Sequence, residues 1–169
     1  MQSIYDVDEA DFFMNPPRWC GYSVAVEPLI ISNTDPSVLV SWMSPSIEVI
    51  SESGDLSKWF DYTTNPGSVT YLGPFPIVVK CESNVSANHS ENNSILRFKW
   101  SKNNTPNVDS ERYITDKVTN ARTEAVLPCS NIKKLEYGDY LDFFFGSDTL
   151  GTVYLQKAEY NITTIAILK

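Results

Sequence analysis

Residues 135–147 read LEYGDYLDFFFGS, and after a polar turn at Asp148 and Thr149 the chain closes with GTVYLQKAEYNITTIAILK, residues 151–169. Successive side chains of a strand point to opposite faces, so a strand buried on one side alternates apolar with polar residues. This segment does not alternate: Leu141, Phe143 and Phe145 share one face, while Tyr140 and Phe144 flank Asp142 on the other. The closing strand reads alike, with Ile165 and Ile167 on one face and Ile162, Ala166 and Leu168 on the other. Two antiparallel strands of this kind need cover on both sides. One cover is a second sheet of the same chain; the other is expected to be a second copy of it.

Outward from this hairpin the pattern is all-β. Short strands are predicted at 22–26, 38–42, 47–50, 59–62, 69–72, 77–82, 95–99, 123–127, 140–145, 152–155 and 162–168, a spacing that suggests an antiparallel sandwich or barrel. The ten prolines are read as falling at the edges of apolar runs, as strand punctuation. Residues 1–18 are acidic, end in Asn15-Pro16-Pro17, and read as an arm or tether, with residues 19–169 forming one head domain. The stretch 83–94, SNVSANHSENNS, is too polar for a core and is expected as an exposed loop. Residues 101–122 form a second polar stretch in which Asn103 and Asn104 suit a turn.

At 169 residues the chain can bury a core without a metal or disulfide framework. Thirteen basic against 21 acidic side chains give a net charge of −8, with no Lys or Arg block to follow a phosphate backbone, so nucleic acid is not expected as a partner. The first residues have neither a basic n-region nor an apolar h-region, and no stretch approaches the roughly 20 apolar residues of a membrane span, so neither secretion nor membrane insertion is expected. Cys20, Cys81 and Cys129 lack zinc-site spacing and are expected as reduced, buried, small apolar side chains.

Chemistry is sparse. His89 is the single histidine and falls in the most polar stretch, poor ground for a Ser-His or Cys-His dyad. Asp139 and Asp142 stand three apart on a strand and so project to opposite faces, which does not suit an acid and base pair. Asp142 is read as facing a subunit channel, pairing with Lys157, or standing as an exposed carboxylate. Glu52 and Asp55 do not make the acid-rich loop that calcium needs. No catalytic residue, cofactor or metal is expected. Asn-x-Ser/Thr triplets begin at Asn84, Asn88, Asn92, Asn103 and Asn161, as an Asn- and Ser-rich stretch produces by chance. Trp42 and Trp100 read as core or subunit contact, and Trp59 as the better exposed contact.

The Leu-Glu-Tyr-Gly-Asp turn at 135–139, the alternating strand after it and the terminal NITTIAIL strand together resemble the end of the tumour-necrosis-factor-like and complement-head-like jelly rolls. Tyr71-Leu72-Gly73, then PFPIVVKCESNVSA and ILRFKWSKNN, is similar to the version of this fold in phage and other viral surface proteins. The resemblance implies a homotrimeric jelly roll that is not an enzyme, with Tyr140, Phe144, Ile162 and Thr164 as trimer-interface candidates. It further implies a virion-surface attachment head or capsid decoration protein, made in the host cytoplasm and docked to other virion proteins through its N-terminal arm. A host-surface protein or glycan would then meet the polar loops, with Asn84, Asn88, His89, Asn92, Asn103, Asn104 and Trp59 as candidates. The alternatives are a secreted or membrane-released ligand of the same families, seen as a fragment, and a carbohydrate-binding module.

Overall fold

The computed structural model describes residues 11–24, 28–32, 34, 40–41, 48–49, 58–62, 68–92, 94–103, 116–118 and 125–168. Within them lie twelve strands: β1 (Arg18–Val24), β2 (Leu29–Ile31), β3 (Val40–Ser41), β4 (Glu48–Val49), β5 (Phe60–Asp61), β6 (Ser68–Tyr71), β7 (Ile77–His89), β8 (Ser94–Lys102), β9 (Asp116–Val118), β10 (Ala125–Leu135), β11 (Tyr140–Ser147) and β12 (Gly151–Ile167). They form two antiparallel sheets. The first runs β10-β7-β12-β1-β4 with β2 also on β12, and the second runs β5-β6-β11-β8-β9 with β3 on β11. From β6 onward the chain changes sheet at every connection except β8 to β9. This is the jelly-roll route, in which long connections cross between the layers.

The core lies between the sheets. Trp19, Ile77, Val79, Cys81, Val85, Ala87, Tyr160 and Ile162 come from the first, and Val69, Tyr71, Leu96, Trp100, Leu141 and Phe143 from the second. Burying each large side chain contributes about 1.5–3 kcal/mol. At the centre the rings of Trp100, Phe143 and Tyr160 meet edge to face, with centroids 5.3 to 6.0 Å apart, a geometry that sets ring edge against ring face. Trp100 is thus core, as the sequence suggested, whereas Trp42 lies outside the described residues.

The sequence reading fails in three instructive places. Residues 83–89 are not loop but the second half of β7, paired on one side with β10 and on the other with β12. The small side chains of Ser83, Val85 and Ala87 point into the core, so this half of the strand carries little apolar mass to announce itself. Pro128 lies inside β10, opposite Asn84, and not at its boundary. The predicted strands 152–155 and 162–168 are one strand, β12, whose register against β7 slips between Leu155 and Lys157 and again between Thr164 and Ala166.

The second slip reassigns the faces of the closing strand. A bulge inserts one unpaired residue and resets the alternation beyond it. Ile162 is wholly buried and Ile167 packs partly against the same core, whereas Ile165, the bulged residue, is 53% exposed. Ile162 is therefore not free for another subunit, contrary to the expectation.

The arm is described from Asp11, where it is docked. Residues 11–14 form one helical turn that buries Phe12 completely, its ring 5.1 Å from Trp59 and 5.5 Å from Phe75. Arg18, grouped with the arm, opens β1 opposite Thr163. Gly73 explains the Tyr-x-Gly motif: any Cβ there would collide with the Tyr71 ring, whose hydroxyl donates to the Phe75 carbonyl at 2.6 Å. No helix among the described residues is long and apolar enough to cross a membrane.

Candidate functional site

Directly paired residues of an antiparallel ladder share a face, so the register defines the outward surface of the first sheet. One row runs Ile132, Lys80, Thr163, Arg18, and the next runs Ser130, Glu82, Asn161, Cys20. Ile132 is 61% exposed, and with Ile165 it gives this face two aliphatic side chains in contact with water. The charges are matched along the strands: Lys80 with Glu82 at 2.6 Å, Lys134 with Glu136 at 2.8 Å, and Lys157 with Glu159. Such exposed pairs add little stability. They do cancel charge locally, leaving a nearly neutral face on a chain of net charge −8.

Cys20 and Asn161 lie at the centre of this face. The Cys20 thiol and the Thr163 hydroxyl both donate to Asn161 Oδ1, each at 3.2 Å. Burial pushes the Cys20 thiol pKa up, with Arg18 acting weakly the other way. Cys81 and Cys129 are buried, as expected, and Cys20 is half-buried.

Among the described residues, the outward side of the second sheet is closed at its centre instead. Asp142 is 4% exposed and pairs in register with Ser68 and Ser101, themselves buried. The exposed-carboxylate reading is thus overturned, and so is the pairing with Lys157, which bonds Glu159 on the other sheet. Phe144 shares this face as predicted but is buried within the chain. Tyr140 is half-buried, as is Thr164, whose hydroxyl donates to the Pro17 carbonyl at 2.6 Å and so pins the base of the arm.

At one end of the sandwich, His89 is fully buried. The Glu91 amide donates to its Nδ1 at 2.9 Å, which places the ring proton on Nε2. Ser94 Oγ, also buried, lies 3.0 Å from the same Nδ1 and donates to the Glu91 carbonyl at 2.8 Å. Burial lowers the His89 pKa, opposed by the Thr149 backbone and the carboxylates of Glu91 and Asp148. Asp148 Oδ1 accepts the Ile95 amide at 2.7 Å, and Gly151 packs so closely that a Cβ would meet Ser90 Oγ and His89 Cε1. The Ser-His contact is real, but both side chains are sealed from solvent and the hydroxyl is spent on a carbonyl. It closes the connection between β7 and β8 on itself and does not present a nucleophile.

At the other end, Asp139 gathers the turn that the sequence singled out. Gly138 takes φ +86°, as a tight turn requires. The Asp139 carboxylate accepts from the Glu136 amide at 2.7 Å and from Asn103 Nδ2 at 2.6 Å, and pairs with Lys102 at 2.5 Å. Burial would raise the Asp139 pKa, but these donors outweigh it and hold the carboxyl below its usual range.

The recognition candidates therefore scatter. His89 and Asn103 are structural, and Trp59 is half-buried beneath Phe12, with Lys58 Nζ 4.8 Å from its ring centroid. Asn84 is exposed and Asn88 half-buried on β7, Asn92 is exposed in the turn after it, and Asn104 lies outside the described residues. The charge-matched sheet face was missed in the sequence. Its one signal is the Lys-x-Glu spacing at 80–82, 134–136 and 157–159, which puts both charges on the same side of a strand. Among the described residues no three His, Cys, Asp or Glu side chains are grouped to hold a metal.

No family model matches the sequence, and no curated protein matches it. Among solved structures the chain is similar to the globular domain of zebrafish complement 1qA protein, at 15% identity over 90% of this chain and 99% of that one, with a TM-score of 0.49. It is also similar to Eiger TNF from S. frugiperda, at 12% identity over 90% and 96%, TM-score 0.47. Murine APRIL matches at 9% identity over 86% and 98%, TM-score 0.48.

Proposed function

We propose that this chain is a non-catalytic binding head that trimerises through the outward face of the first sheet and is displayed on a virus particle, as an attachment head or decoration protein. The observation that carries the assembly is the contrast between the two outward faces. One is closed over Asp142 and Phe144 by the chain itself. The other presents Ile132 and Ile165 among side chains whose charges are already matched, so copies of an acidic chain meet there without repulsion. The threefold number rests on the resemblance of the 135–168 segment to the tumour-necrosis-factor-like and complement-head-like jelly rolls, and the particle surface on the resemblance of the 71–104 segment to the version in viral surface proteins. Recognition of a host glycan or protein falls to the exposed polar turn at Asn92, which lies off the outward face of the first sheet.

Mass spectrometry of purified particles tests the location: this polypeptide should be present at stoichiometric level and absent from mock preparations. Its recovery only as free protein in culture medium would overturn the particle assignment and leave a soluble ligand in its place.

A further inference from the structure

Among the described residues β10 has a neighbouring strand, β7, on one edge only, and its other edge is blocked at alternate positions. In an antiparallel strand the N–H and C=O of every second residue point to the same edge, and three residues of one parity carry a mark. Pro128 sits mid-strand without an N–H, which a ladder tolerates only where that group would face away from the partner, and the partner here is β7. The Ile132 N–H is taken by Oδ1 of its own neighbour Asn131 at 2.7 Å. The Lys134 carbonyl is taken by Lys102 Nζ at 2.9 Å, reaching across from β8 in the other sheet. All three lie on the side away from β7. Between Pro128 and Lys134, no two successive edge positions offer both a donor and an acceptor.

We propose that Pro128, Asn131 and Lys102 form an edge guard that closes β10 to strand addition, so that copies of this chain associate through sheet faces and not by extending the first sheet. An eleven-residue edge strand is otherwise a ready template for pairing with another chain. Asn131 is the central element because its side chain turns an exposed amide donor into a satisfied one. The inference does not depend on what the outward face binds.

Two variants test it. Asn131→Ala removes the acceptor, and Asn131→Asp keeps one at the same place. Hydrogen exchange at the Ile132 amide should accelerate at least tenfold in Asn131→Ala and stay near the wild-type rate in Asn131→Asp. The double variant Pro128→Val/Asn131→Ala, carried in an Ile165→Asp background so that face contacts are already weakened, should form sheet-extended species larger than its parent in sedimentation velocity. An unchanged Ile132 exchange rate in Asn131→Ala would overturn the guard. So would a double variant that melts like its parent and keeps its parent's size. Should the double variant fail to fold, the exchange experiment on the single variants decides alone.

Discussion

Asn103 and Asp139 hold each other across two connections: Asn103 Nδ2 donates to Asp139 Oδ1 at 2.6 Å, while Asn103 Oδ1 accepts the Tyr140 amide at 2.9 Å. Asn103 also sits at φ +53°, in the left-handed region that Asn tolerates better than most residues. The end of β8 is thereby clamped to the turn that opens β11. Asp139→Ala should cost ~2–4 kcal/mol in urea unfolding, since hydrogen bonds to a charged group exceed the neutral kind and three donors lose their acceptor. Asn103→Ala should be worse than Asn103→Gly by about 1 kcal/mol, because both lose the side-chain bonds but only alanine strains the backbone.

The same carboxylate predicts an acid limb. The Asp139 pKa is lowered in the folded chain from the ordinary 3.8, so the unfolded chain binds the proton more readily. The contribution is fully present above pH 3.8 and is lost as pH falls through the lower, folded value. Melting temperature should drop more steeply for wild type than for Asp139→Asn below pH 4; parallel curves would remove Asp139 from the account.

His89 predicts a second limb at milder pH. Burial lowers its pKa below the ordinary 6.5 even with Glu91 and Asp148 opposing, so the folded chain holds the ring neutral. Protonation then favours the unfolded chain, and stability falls as pH drops below about 6.5. A His89→Gln variant should start less stable but lose this slope between pH 7.5 and 5, as read by thermal melts. Retention of the wild-type slope would place its source elsewhere.

Gly151 is held at φ +151° against Ser90 and His89. Gly151→Ala should destabilise by about 1–3 kcal/mol through overpacking and backbone strain together. Gly138→Ala, with open space around it but φ +86°, should cost only the backbone share. Equal losses in the two variants would contradict the packing contact with His89.

How much of this was legible in the sequence follows from what each residue type broadcasts. Gly138 and Asp139 mark their turn by chemistry, and Leu141 and Phe143 mark the core by bulk, so the closing hairpin and the all-β class could be read. Ser83, Ala87 and His89 face the core with little apolar mass, so half of β7 passed for a loop. The bulge at Ile165 leaves no sequence mark at all, yet it turns Ile167 to the core side with Ile162, where strict alternation sets the two on opposite faces. Pro128 was read as a boundary because proline usually ends strands; on the edge facing away from β7 its missing donor costs that ladder nothing. Asp142 and Phe144 were assigned to the right side of β11, but the chain itself buries that side. The open face of the first sheet emerges only when register places Ile132 beside Lys80 and Thr163.

The most direct measurement is sedimentation equilibrium at micromolar concentration on wild type, Ile165→Asp and Ile162→Asp. Wild type should sediment as a trimer. Ile165→Asp, altering an exposed residue on the open face, should give a folded monomer with an unchanged circular dichroism spectrum, whereas Ile162→Asp, burying a charge in the core, should not fold. A wild type that is monomeric, or an Ile165→Asp variant that remains trimeric, would contradict assembly through the outward face of the first sheet.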